Sequence, residues 1–333
     1  MHYWMDIHIL APESAKDYPH NWNEFLDWFG SEEACLSYLE RLRWPQGFVC
    51  PCCAVVEQPY RSSRSRLMCR GCRRQSTVTA GTIFDKTRTA LRVWLAAAWY
   101  LTNQKQGVSA LGLQRVLGLG SYQTAWTMLH RFRRAMGLPD HQRLKGLVEV
   151  DETYLAITDR DVPASAARRK SRTSKVLVAV AVEMLQPKGF GRIRSRRIAN
   201  DSDECVVPFV QASVEPGATV KTDDSAAYRS LSKLGYEHQR TVMLGSEVAA
   251  HVSMAGVHRV ASLIERWVLG THHGSVQPEH LDAYLDEFVF RFNGRTSTSR
   301  GMLFYRLLQQ AVITEPVTYE DVVRKTSIAA QTS

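Results

Sequence analysis

Cys50, Cys53, Cys69 and Cys72 form two C-x-x-C pairs separated by fifteen residues. Thiolates at that spacing can surround one Zn²⁺ tetrahedrally, each pair supplied by a tight knuckle. Cys52 lies inside the first knuckle as a competing thiol, but Cys50 with Cys53 has the usual two-residue gap. Arg61, Arg64, Arg66, Arg70, Arg73 and Arg74 lie between and just after the pairs, and no acid occurs from Tyr60 to Gln75. A small zinc module with an arginine surface suits a phosphate backbone.

A second chemistry is suggested by acids that follow apolar, β-branched runs. Asp151 follows Gly146–Val150 and Asp223 follows Ala218–Thr222. Carboxylates at strand ends converge on one site in α/β sheets, and such a pair can hold Mg²⁺ or Mn²⁺ through oxygen. Two such ions about 3.5–4 Å apart stabilise the attacking and leaving oxygens of phosphodiester displacement. Asp is equally a common N-cap or turn residue, so either acid alone has a plain structural reading. Glu152 and Asp224 are neighbours that could serve, although adjacent residues of a strand face opposite ways.

The elements that must position these groups follow from periodicity. Residues 1–20 show no period. Residues 23–43 read as helical, broken at Gly30-Ser31 with Ser31 as an N-cap, and Cys35 falls on this helix. Gln75–Phe84 should close the ribbon as a strand or turn. Leu91–Leu101, Val108–Leu117 and Tyr122–Met136 read as three helices, the last two joined at Gly118–Ser121. His130, Arg131, Arg133 and Arg134 fall largely off the apolar stripe of the third, so the segment resembles a helix-turn-helix, or else a plain helical bundle. Gly146–Val150, Lys175–Met184, Gly191–Ala199 and Ala218–Thr222 read as strands, with a basic loop over Arg160–Ser174. Asp203–Ala212, which carries Cys205, and Ser225–Leu234 read as helices, as do residues near 257–269 and 277–292. The last is a packing helix with Asp282, Asp286 and Glu287 exposed; Arg295, Arg300 and Arg306 follow it and either meet DNA or are solvated.

At 333 residues the chain can bury two or three cores, and its formal net charge of +9 favours a polyanionic partner. No apolar run reads as a signal peptide, and none reaches the roughly 18 residues of a membrane span. With four cysteines spaced as ligands, a reducing cytoplasm is the expected setting and no membrane is expected as a partner.

GFVCPCC (47–53), CRGCRRQSTVTAGTIF (69–84), VEVDETYL (148–155), VKTDDSAAYRSL (220–231), HRVASLIERWVLGTHHG (258–274) and LDEFVFRFNGRTS (285–297) occur in that order. In these stretches the chain resembles the DDE transposases of bacterial insertion sequences, in the group with an N-terminal zinc ribbon and an ISXO-type transposase domain. The resemblance implies an α/β, RNase H-like catalytic domain, a mixed sheet flanked by helices, preceded by a zinc ribbon and a helical, helix-turn-helix-like segment. The domain limits it suggests are 1–45 (N-terminal helical segment), 46–84 (zinc ribbon), 85–140 (helical DNA-binding segment), 144–310 (transposase domain) and 311–333 (tail).

The resemblance also implies metal-dependent cleavage of double-stranded DNA at transposon ends, transfer of the freed 3′-hydroxyl into target DNA, a homo-oligomer on DNA, and a cytoplasmic, nucleoid-associated setting. Structural Zn²⁺ and catalytic Mg²⁺ or Mn²⁺ are the expected cofactors. Asp151 matches the family's first acid and Asp223 its second. The third position, usually Glu, matches His258, and the Lys seven residues later matches Glu265. Both are candidate catalytic residues, but they cannot share one compact metal pair, being about 10.5 Å apart along a helix. The glycines that often follow the DETY motif and one apolar residue are replaced by Ala156 and Ile157. The alternative function is a catalytically inactive zinc-ribbon DNA-binding protein, either a regulator or a decayed transposase. A structure-specific nuclease on the same fold is a third reading.

Overall fold

The computed structural model describes residues 12–62, 65–137, 142–158, 173–241, 254–272 and 276–324. The chain divides into two units, residues 1–136 with 296–323 and residues 137–295 with 324–333. The expected loop 160–174 falls almost wholly outside the described residues, as do Arg64 and residues 325–333 of the C-terminal tail.

In the first unit, helices α1 (Trp22–Trp28) and α2 (Glu32–Arg43) are capped by Asn21 and Ser31, whose side chains accept from Glu24 N and Ala34 N. Three short antiparallel strands follow, β1 (Tyr60–Ser62), β2 (Arg66–Met68) and β3 (Gln75–Ser76), and they form the ribbon. Gln75–Phe84, expected as a strand or turn, is strand at Gln75–Ser76 and mostly turn beyond. The hydroxyls of Thr77 and Thr82 bond the nearby main chain instead, which competes with a ladder.

Helices α3 (Leu91–Asn103), α4 (Ala110–Leu117) and α5 (Tyr122–Met136) match the expected three, and Gly118 ends α4 in the left-handed region at φ 62°. The expectation for α5 needs correction. His130 (4 % exposed) and Arg133 (1 %) are buried. Arg131 donates to the carbonyls of Ile83 and Val317. Arg131 is therefore structural, because it satisfies main-chain oxygens that lie outside any helix or strand. The exposed part of α5 is its start, Tyr122 to Thr124.

The second unit is built on a five-stranded sheet: β4 (Leu147–Thr158), β5 (Thr173–Met184), β6 (Phe190–Arg197), β7 (Thr219–Asp223) and β8 (Glu237–Thr241), with α6 (Asp203–Ser213) between β6 and β7. The spatial order is β6-β5-β4-β7-β8. The first three strands are antiparallel, while β7 runs parallel to β4 and to β8. This is the mixed, RNase H-like sheet that was expected. Strand β5 is apolar on both faces because helices cover both. Val148, Val150 and Val220 face α6, through Val206, Phe209 and Val210. Leu155, Ile157, Val178 and Val180 face α7 (Ala255–His272) and α8 (Leu281–Asn293), through Val257, Val260, Leu281 and Leu285.

Three details differ from expectation. Strand β4 does not end at Val150 but runs on through Asp151 to Thr158, paired residue for residue with β5. Ser225–Leu234 is two 3₁₀ turns, Ala226–Tyr228 and Leu231–Leu234; that geometry stacks the buried Tyr228 and Leu231 at i and i+3. Strand β8 (EHQRT) was not anticipated, because a solvated edge strand carries no apolar alternation.

On α8 the acids are not uniformly exposed. Glu287 is 0 % exposed and pairs with Arg291 at 2.9 Å, and Asp286 is largely buried, whereas Asp282 is exposed and accepts from Arg197 N. Arg295 donates to the carbonyls of Gly191, Phe292 and Phe190, so it ties the end of α8 to the start of β6.

Helix α9 (Arg300–Ala311), expected at the end of the transposase domain, instead belongs to the first unit together with α10 (Tyr319–Arg324) up to Val323. Phe304 of α9 meets Phe25, Phe29, Tyr38 and Trp99 ring to ring. The buried Leu303, Phe304, Leu307, Leu308 and Ala311 give α9 a regular helical stripe.

Candidate active site and zinc centre

The two knuckles fold alike. Ala54 N bonds Cys50 O and Cys50 N bonds Val55 O; Arg73 N bonds Cys69 O and Cys69 N bonds Arg74 O. Each knuckle bends through a left-handed residue, Ala54 (φ 58°) and Arg73 (φ 60°). This gathers Cys50, Cys53, Cys69 and Cys72 with their sulfurs within 4.8 Å of one another, Cys50–Cys72 at 3.6 Å and Cys53–Cys69 at 3.5 Å. Four sulfurs around a zinc at about 2.3 Å lie about 3.8 Å apart, so the set fits that ion. Cys52 is exposed and outside the group, with Arg74 Nη1 at 3.4 Å from its sulfur. Cys35 is buried on α2, where burial pushes its thiol up to about 11, so it is inert.

The arginine surface of the ribbon is only partly free. Arg61 forms a two-point pair with Glu40 at 2.6 and 3.0 Å, and Arg66 donates to Gln75. Arg70 and Arg73 both lie over the Tyr60 ring, at 4.7 and 5.5 Å from its centre.

The acids come together on the sheet. The parallel register ends with Glu149 paired to Lys221, and Asp151 and Asp223 each follow two residues beyond that last pair. Residues level on parallel strands share a face; here it is the face covered by α7. Asp151 is mid-strand, and Asp223 ends β7 as expected. Asp151 Oδ1 accepts from Glu152 N and Asp223 Oδ1 from Ser225 N, which leaves the second oxygen of each pointing elsewhere. His258, in the first turn of α7, places Nδ1 3.7 Å from Asp151 Oδ2, and its buried Nε2 has no hydrogen-bond partner among the described residues. Glu265 lies two turns further along α7 and is exposed.

Burial raises the Asp151 carboxyl above its ordinary value. The Glu152 amide and His258 oppose this, while the negative charges of Asp223 and Glu149 add to it. Crowded, part-buried carboxylates of this kind are relieved by a cation. Two carboxylates and an imidazole suit Mg²⁺ or, better for the nitrogen, Mn²⁺. The arrangement is more open than the zinc centre: among the described residues, only the four cysteines form a group of three or more ligands within 4.8 Å.

Two features escaped sequence reading. Glu149, 4 % exposed, turns its Oε2 to the amides of Gly256 (2.8 Å) and Val257 (3.0 Å) at the start of α7. On the other face, Tyr228 donates to Glu152, so Glu152 points away from Asp151. An acid between Val148 and Val150 in a buried strand was the available signal for Glu149. Asp224 is exposed beside Arg240 at 3.4 Å.

A four-cysteine ribbon and a mixed sheet with two acids on one face are the parts of the chain that known families match. Residues 143–293 match the family described as ISXO2-like transposase domain, and residues 30–75 match the transposase zinc-ribbon domain. By these two matches the chain carries an ISXO2-like transposase domain and a transposase zinc ribbon. It is 28 % identical over 277 residues to an uncharacterized protein in transposable element ISH50 of Halobacterium salinarum, a match covering 79 % of this chain and 91 % of that protein. Among solved structures, a chain of the Mos1 strand transfer complex matches at 14 % identity with a TM-score of 0.27, covering 69 % of this chain and 76 % of that one. None of the described helices is long and apolar enough to cross a membrane.

Proposed function

We propose that the protein binds the terminal inverted repeats of its own insertion sequence as double-stranded DNA, cuts a phosphodiester at each end, and joins the freed 3′-hydroxyl to target DNA, acting as a homo-oligomer across paired ends. The observation that carries this reading is the placement of Asp151 and Asp223 on one sheet face, with His258 against Asp151. Domain roles follow the same reading: the ribbon and the start of α5 contact the DNA ends, and the sheet domain carries the chemistry.

Asp151 and Asp223 would hold the divalent cation, with His258 as the third residue, consistent with its Nε2 having no hydrogen-bond partner among the described residues. Bound there, Mg²⁺ or Mn²⁺ supplies Lewis-acid stabilisation of the attacking and leaving oxygens. The main-chain amides of Glu152 and Ser225 orient the two carboxylates. The half-buried imidazole of His258 restricts water around Asp151 Oδ2 and can orient the nucleophile. Glu265 is too far along α7 to join this group and sits as an exposed acid.

One observation favours the second reading, a DNA-binding remnant without catalysis. Glu265 stands where a Lys is expected and would repel a phosphate. Cleavage of a duplex carrying the element's end, with Mg²⁺ or Mn²⁺, separates the two. The enzyme cuts, and Asp151→Ala and His258→Ala abolish cutting while end binding persists. A wild type that binds the end but never cuts with either metal is the remnant.

A further inference from the structure

The carboxylate of Glu149 is nearly inaccessible, and it is spent on main-chain donors of another element. Its Oε2 accepts from Gly256 N at 2.8 Å and Val257 N at 3.0 Å. These amides belong to the first turn of α7, where helices leave N–H groups unsatisfied and where the helix dipole favours negative charge. Glu149 and Asp151 point to the same face of β4. The residue after Val257 is His258, whose Nδ1 lies 3.7 Å from Asp151 Oδ2. One strand therefore presents a carboxylate to the start of α7 and, two residues on, another to the first side chain of that helix to reach the site.

Gly256 makes the approach possible. A Cβ there would overlap Met184 Sδ and come within 2.8 Å of Glu149 Oε2. The helix start is thus pressed onto β4 and β5 as closely as backbone allows, and the bond to Glu149 sets both its height and its rotation.

We infer that Glu149 is a positioning residue: its buried carboxylate anchors the first turn of α7 on β4 and thereby holds His258 against Asp151. The role of His258 rests on the proposed function; the anchor itself does not. What matters is the reach of the side chain and its acceptor oxygen rather than its charge. Glu149→Gln keeps both reach and acceptor. Glu149→Asp keeps the charge and falls one methylene short.

The experiment compares wild type, Glu149→Gln, Glu149→Asp and Glu149→Ala in the full chain. Three readouts are taken: end binding, single-turnover cleavage at saturating DNA and Mn²⁺, and hydrogen exchange of peptides covering 254–264, with β5 peptides as reference. Glu149→Gln should cut within about threefold of wild type, and Glu149→Asp at least about tenfold more slowly. End binding should change less than about threefold in both. Protection should fall in 254–264 for the Asp variant, and for the Ala variant if it folds, with β5 unchanged. Cleavage better in Glu149→Asp than in Glu149→Gln overturns the proposal, because charge rather than reach would matter. Protection of 254–264 that is unchanged in Glu149→Asp also overturns it, as does loss of β5 protection and end binding together with cleavage, the pattern of a merely structural residue. Should the wild type itself not cut, the functional reading fails, and the exchange data alone decide whether Glu149 anchors α7.

Discussion

Tyr228 donates a hydrogen bond from its hydroxyl to Glu152 Oε1 at 2.6 Å, on the sheet face opposite Asp151. Tyr228 lies in the turn that follows Asp223, and Glu152 follows Asp151. The bond therefore links the chain segments of the two proposed metal ligands from behind the sheet. Burial pushes the Glu152 carboxyl up to about 7, and the Tyr228 bond is the largest influence holding it down. Tyr228→Phe leaves a buried carboxyl without this donor. It should cost about 1–3 kcal/mol of stability, read as a lower urea midpoint, and should slow cleavage more than it weakens end binding.

Asp151→Asn and Asp223→Asn keep shape and remove charge. Several kcal/mol of charge stabilisation depend on the cation they would hold, which at about 1.4 kcal/mol per decade is on the order of 10³-fold in rate. Cleavage assays with Mn²⁺ should show that loss with end affinity retained. Glu265→Ala should cut at a rate close to wild type; loss of cleavage there instead would move the third position to Glu265.

Cys53→Ser should lose the zinc and unfold the ribbon, while Cys52→Ser should keep one zinc per chain, because its thiol lies outside the cluster. Metal analysis of the purified variants checks both. Chelation of the wild type should weaken DNA binding along with the ribbon.

Arg70→Ala and Arg131→Ala should separate a DNA contact from a structural cation. Arg70 is on the ribbon surface over Tyr60, and its loss should reduce the slope of log affinity against log salt by about one contact. Arg131 is tied to the carbonyls of Ile83 and Val317, so its loss should lower the melting temperature and leave the slope unchanged.

Asp286 sets a pH dependence of folding. Burial, reinforced by Asp282 and opposed by Arg196, pushes its carboxyl from 3.8 up to about 7. The folded chain then keeps a proton that the unfolded chain has released, so this contribution is complete below the unfolded value and is lost as pH rises through 7. Asp286→Asn should remove that loss and be more stable than wild type above neutral pH, by a few kcal/mol at most at about 1.4 kcal/mol per pKa unit. Denaturation midpoints at pH about 5 and about 8 test the sign.

Local rules carried the zinc centre. A C-x-x-C knuckle closes over a handful of residues, so its ligands are legible in the spacing, and only the exclusion of Cys52 needed coordinates. The strands of the sheet were legible in the same way, since Val and Ile runs such as 176–182 suit a doubly covered strand. Where local and tertiary preferences diverge, the reading was incomplete. The edge strand Glu237–Thr241 has no apolar signal, and the stripe of α9, though periodic, gives no sign of which unit buries it.

By itself, the sequence determined the ribbon ligands, four of the five strands of the large sheet and the two candidate acids, because each depends on neighbours a few residues away. Only the tertiary structure decided that Asp151 and Asp223 both follow the last β4–β7 pair by two residues, since that depends on the register of β4 with β7 across an intervening 60-odd residues. It also decided that His258 rather than Glu265 meets Asp151, through the seating of α7 on Glu149. The same holds for the basic residues of α5: periodicity places them off the apolar stripe, but burial depends on what else packs there, and it turned His130 and Arg133 inward.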